Sequence, residues 1–112
     1  MCGLDFAIGV TDKGVSKEEK YVHFNERIHA YLIKKEKDNG NDFNLLLNLD
    51  PYRQTIIFIE NIPDLKVICE SLINKYNLSD EKERKIRTFA QELKELCEDA
   101  IKQKKHIYAI GD

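Results

Sequence analysis

Apolar residues alternate along the start of the chain: Leu4, Phe6, Ile8 and Val10 share one side, with Asp5, Ala7 and Gly9 on the other. A period of two predicts a strand with one buried face, and Asp12-Lys13-Gly14 supplies a turn after it. Ser16 and Glu19 stand at the capping-box spacing that satisfies orphan amides at a helix start. Tyr21, Phe24, Ile28, Tyr31 and Leu32 follow within an arc of roughly 80°. They predict a helix from about Lys17 to Lys37 that stops at Asn39-Gly40. The same residues allow a second reading, in which Lys20 to His23 is extended and the helix starts near Phe24.

Phe43 to Leu49 and Gln54 to Ile59 are apolar runs on either side of Asp50-Pro51-Tyr52-Arg53. Asp in first place and Pro in second favour a type I turn, so the pair reads as an antiparallel hairpin. Pro63 suits the first turn of a helix, whose face is filled by Leu65, Ile68, Cys69, Leu72, Ile73 and Tyr76. Ser79-Asp80 opens a last helix, with Glu83 completing a second capping box. Ile86, Phe89, Ala90, Leu93, Cys97, Ala100 and Ile101 form its apolar stripe over about 24 residues, or about 36 Å. His106 to Ile110 reads as a closing strand, and Asp38 to Asp42 as a loop.

The predicted order is therefore β-α-β-β-α-α-β: an α+β fold with a four-stranded, mainly antiparallel sheet and three helices. It is a variant of the ferredoxin-like arrangement. At 112 residues the chain makes a single domain, 1–112. Leu, Ile, Val and Phe make up 33 of those residues, well above the ~20% at which chains tend to stay disordered.

Charge narrows the function classes. Eighteen basic residues face twenty acidic ones, a net charge of −2, so no overall positive field exists to hold nucleic acid. No apolar run approaches the ~18 residues that span a bilayer, and the start of the chain does not read as a secretory signal. Three cysteines, Cys2, Cys69 and Cys97, have no close pair and suggest neither a disulfide framework nor a zinc knuckle. A reducing cytoplasm is the expected location. Lysine outnumbers arginine 14 to 4, the residue usage of AT-rich coding and of a bacterial source.

Candidate chemistry is sparse. His23, His29 and His106 lack the spacing of a zinc helix. On the helical reading His23 points away from the core, and His29 sits at its margin. Cys69 and Cys97 fall on apolar helix faces and read as core. No hydroxyl residue stands in a nucleophile-elbow context, and no glycine cluster forms a phosphate loop. The expectation is no catalytic residue, no metal and no cofactor.

The last helix carries the more informative surface. Opposite its apolar stripe lie Glu81, Glu92, Glu95 and Asp99; the last three are like charges three and four positions apart, which costs helix stability. An acidic face kept at a cost suits a basic partner, with Glu81–Lys85, Glu83–Arg87 and Glu98–Lys102 pairs as the ordinary alternative account. Tyr52 and Arg53 at the turn are residue types enriched in interface hot spots.

Leu47-Asn48-Leu49-Asp50-Pro51-Tyr52-Arg53-Gln54-Thr55-Ile56-Ile57-Phe58 resembles a loose group of small bacterial proteins. They share an aliphatic-Asp-Pro-Tyr-Gly-x-Thr-x-x-Phe core and often end in a short strand followed by Gly-Asp. Gly111-Asp112 matches that ending, and the Gly3-Leu4-Asp5 start and the Phe24-x-x-Arg27 pair are also similar; Arg53 stands where the group has glycine. The resemblance covers about half the chain. It implies an accessory protein of bacterial competition systems, such as an immunity protein, with no catalytic residues to carry over.

Together these readings favour a non-enzymatic protein-binding module, an immunity protein that covers the functional surface of a basic toxin. Its expected contact residues are Glu92, Glu95, Asp99, Tyr52 and Arg53. The alternatives are a small regulatory or ligand-binding domain with an apolar pocket, and an enzyme in which His106 and a carboxylate act as base and acid.

Overall fold

The computed structural model describes residues 3–9, 21–36, 43–50, 52–76 and 80–111. Val10, the turn at Asp12-Lys13-Gly14, the Ser16–Glu19 pair, the 37–42 segment, Pro51, Ser79, Cys2 and Asp112 lie outside them.

Strand β1 (Gly3–Gly9) forms where the alternation predicts it. Leu4, Phe6 and Ile8 turn to the core, but Ala7 is also buried, so more than one face is covered. β1 is an inner strand, and Ala7 stands in register between Tyr21 on one side and Tyr108 on the other.

The next segment departs from the helix predicted from Lys17. Tyr21–Asn25 is strand β2, and helix α1 (Glu26–Glu36) begins only after it. The second reading is the nearer one: Tyr21 to His23 are extended, but the strand continues through Phe24 and Asn25, and Lys20 lies outside the described residues. The reason is local: Val22 and Phe24 alternate into the core while Tyr21 stays exposed. The start of α1 is marked by Asn25, whose Oδ1 accepts the Arg27 N–H at 2.7 Å, a capping bond that satisfies one orphan amide.

The Phe43–Leu49 strand, and with it the hairpin, is also corrected. Asn44–Leu47 is a single helical turn, α2. The Phe43 carbonyl accepts from Leu46 and Leu47 N–H, and only Leu46 and Leu49 of the run are buried, three positions apart. The run contains no β-branched residue, and an apolar run alone does not separate a strand from a buried helix. The turn itself forms: Arg53 N–H reaches the Asp50 carbonyl at 3.3 Å, and Asp50 Oδ1 accepts from Tyr52 N–H at 2.9 Å.

Strand β3 (Gln54–Ile57) therefore pairs elsewhere, with strand β4 (His106–Gly111). A 3-10 turn at Ile59–Asn61 leads into helix α3 (Ile62–Lys75), with Pro63 in its first turn. Helix α4 (Glu81–Gln103) follows, capped by Asp80, which accepts from Glu83 N–H. Its buried positions are those predicted, with Leu96 added and Ile101 exposed. Lys104, in the left-handed conformation, closes α4 and turns the chain into β4.

The result is an α+β fold with a four-stranded sheet, antiparallel throughout, in the order β2-β1-β4-β3. Among the described residues it carries four α-helices instead of three. One expected strand became a helical turn, while five residues of one expected helix, Tyr21–Asn25, became a strand. α3 and α4 lie antiparallel on one face of the sheet, joined by Lys66–Glu98 at 3.3 Å and Lys94–Glu70 at 3.5 Å. Beneath them Phe89 of α4 stacks on Phe24 at 4.2 Å and meets Phe6 at 6.1 Å. α1 crosses one end of this layer.

Candidate functional site: the acidic face of helix α4 and the groove beside strand β2

The predicted acidic residues stand together as the helix wheel requires. Glu81, Glu92, Glu95 and Asp99 are all exposed on α4. No lysine or arginine occupies a position three or four residues from Glu92 or Glu95. Lys94, the one cation between them and Asp99, turns the other way, to Glu70 on α3. Glu98 also turns to α3, meeting Lys66 instead of Lys102. Of the pairs predicted on the helix surface, Glu81–Lys85 forms at 3.7 Å. Exposed pairs of this kind contribute at most about 1 kcal/mol.

Beside the stripe lies a groove that sequence reasoning missed. It opens between the β2–α1 corner and the N-terminal half of α4, with a volume of about 550 Å³ lined by Asn25, Arg27, Ile28, Asp80, Glu81, Lys82 and Lys85. A second space of about 430 Å³ adjoins it through Asn25, Ile28, Glu81 and Lys85, and extends past His23, Thr88 and Glu92. The charges in it are ordered. Arg27, Lys82, Arg84 and Lys85 stand at the α1 end with Asp80 and Glu81 among them, and Glu92 stands at the other. Lys82 is held over the Tyr31 ring, 4.8 Å from its centroid.

Tyr52 and Arg53 are exposed as predicted, but they are not brought to this surface. They precede β3, at the opposite edge of the sheet from β2. Three strand spacings of about 4.8 Å separate those edges. Glu95 and Asp99 are also displaced toward the other end of the molecule, where α4 turns into β4. Arg53 is engaged locally, its Nε 3.5 Å from Asp50 Oδ2.

Each histidine has a partner. His23 lies on β2 directly opposite Asp5 of β1, with Nδ1 2.7 Å from Asp5 Oδ1. This His–Asp pair follows from the β1–β2 register, which sequence spacing does not give. Its ring lies over Gly3, where an added Cβ would sit 2.6 Å from the Phe24 carbonyl oxygen and 2.9 Å from the imidazole. With φ at +153° as well, that position requires glycine. His29 is not at the core margin but inside it: it stacks on Phe24 at 4.7 Å, and its Nε2–H donates to the Leu47 carbonyl at 3.0 Å. His106 Nδ1 accepts the Ile59 N–H at 3.0 Å, which places the ring proton on Nε2.

Cys69 and Cys97 are both fully buried between α3 and α4. The hydrogen bond between the two thiols, with burial, pushes the Cys69 thiol well above its ordinary range, the opposite of an activated thiolate. Glu36, at the end of α1, is the other buried polar group. It accepts from the Tyr76 hydroxyl and pairs with Lys75 Nζ at 2.8 Å. Burial and this carboxylate push the Tyr76 phenol upward. Among the described residues no group of three histidine, cysteine or carboxylate side chains is placed to hold a metal ion, and no helix is long and apolar enough to cross a membrane.

The chain matches no known family model, no curated protein and no solved structure.

Proposed function

We propose that this chain is a cytoplasmic, non-enzymatic binding protein of the immunity type, neutralising a bacterial toxin by covering a basic functional surface with the outer face of α4. The observation that carries the reading is the arrangement of Glu92, Glu95 and Asp99: three exposed like charges on one side of a rigid helix, with Lys94 drawn away to Glu70. Such a surface is costly for the isolated helix and favourable against a cationic partner, where complementary charge speeds and selects the encounter. The resemblance of the Leu47–Phe58 stretch to small accessory proteins of bacterial competition systems supports the same class.

Tyr52 and Arg53 drop out of the leading contact set because they occupy the far edge of the sheet. The ligand-binding alternative called for an apolar pocket with a few polar groups; the groove beside β2 is open and rimmed by charge.

The test is amide exchange of the chain alone and in complex with the product of the reading frame beside its own gene. Protection concentrated on α4, with the Tyr52–Gln54 amides unchanged, is the expected result. Absence of a complex, or protection confined to the β3 edge, overturns the assignment.

A further inference from the structure

The groove beside β2 has a feature that docking of a toxin does not use: two of its charges, Arg84 and Glu92, match each other under a two-fold rotation. On α4, Arg84 and Glu92 stand symmetrically about Thr88, and Thr88 and His23 line the same part of the groove. Neither Arg84 nor Glu92 has a charged partner among the described residues. An antiparallel copy of α4 centred on Thr88 sets Arg84 of each chain against Glu92 of the other.

The sheet fits that same axis. β2 is an edge strand among the described residues, and its sequence Tyr21-Val22-His23-Phe24-Asn25 has no lysine, proline or acidic residue, the usual devices that protect an open edge. Tyr21 on it is 59% exposed. Because Phe89 lies against both Phe24 of β2 and Phe6 of β1, α4 runs above the β1–β2 pair. With strands about 4.8 Å apart, adding a second β2 puts the two α4 axes about 10 Å from each other, the ordinary distance between packed helices. One rotation therefore satisfies the strand edge, the helix spacing and the Arg84–Glu92 charges together.

We infer that the chain forms a homodimer by antiparallel β2–β2 pairing, which makes one eight-stranded sheet with the two α4 helices packed across the axis and sealed by reciprocal Arg84–Glu92 pairs. Glu81 then faces Glu95 of the second copy, with Lys82 and Lys85 beside them, so the association is reversible rather than obligate. A toxin engaging Glu92 competes with the dimer, and Asp99 lies beyond the paired length.

Sedimentation equilibrium of the purified chain decides it and needs no toxin, so its outcome is separate from that of the immunity reading. The parent should show a monomer–dimer equilibrium by roughly 100 µM. Arg84→Glu and Glu92→Arg should each weaken dimerisation about tenfold, and the double variant, which restores opposite charges across the axis, should return to within about threefold of the parent. Both side chains are exposed, and unchanged melting temperatures will show that the variants fold. A parent that stays monomeric, single variants that dimerise like the parent, or a double variant that fails to recover overturns the proposal.

Discussion

Helices α4 and α1 belong to the same layer and are held by different physics. α4 buries seven apolar side chains along its length, carries its own N-cap in Asp80, and would be amphipathic in any context. α1 buries one apolar residue, Leu32, and two polar ones, His29 and Glu36. Each of those polar groups is satisfied by a distant part of the chain: His29 by the Leu47 carbonyl, Glu36 by Tyr76 and Lys75. α4 is a helix by its own pattern, while α1 is fixed by the neighbours it meets. The buried face of α4 thus tolerates the like charges of Glu92, Glu95 and Asp99 on its outer one.

The largest effect should come from α4. Phe89→Ala removes the ring that joins α4 to both β1 and β2, and should cost about 3–5 kcal/mol in chemical denaturation. A loss below 1 kcal/mol would mean that α4 does not anchor the sheet. Tyr76→Phe tests α1. It leaves the Glu36 carboxylate one donor short, at about 1–3 kcal/mol, and the accompanying rise in amide exchange should be confined to α1 and the end of α3. The same contact sets an alkaline dependence. Because the folded Tyr76 phenol is pushed above its ordinary value of 10.0, its unfolded form ionises first. Its contribution is complete below that value and is lost as pH rises beyond it. The Tyr76→Phe variant should lack this part of the alkaline decline, and a parallel decline in both proteins would contradict it.

The contrast also explains what could be read from the residues. β1, β4, α3 and α4 follow from period and capping alone, because each satisfies its own pattern. β2 was hidden because Tyr21, Phe24, Ile28 and Leu32 keep helical spacing by coincidence, while the decisive signals were the Val22–Phe24 alternation and Asn25 as a cap. The Leu45-Leu46-Leu47 run carries no period, and β4, remote in sequence, took β3 as its partner. For the site, the acidic stripe was legible because it belongs to α4. The groove and the Asp5–His23 pair depend on where β2 pairs, and the separation of Tyr52 and Arg53 from the stripe on where β3 pairs, both of which are long-range information.

The central claim is that α4 recognises its partner through Glu92, Glu95 and Asp99. Stopped-flow association of the chain with the neighbouring-frame toxin, for the parent and for the Glu92→Lys/Glu95→Lys/Asp99→Lys variant, tests it most directly. The variant should associate at least about tenfold more slowly at low salt, with the gap closing as salt screens the charges. Equal rates at every salt concentration would contradict the account.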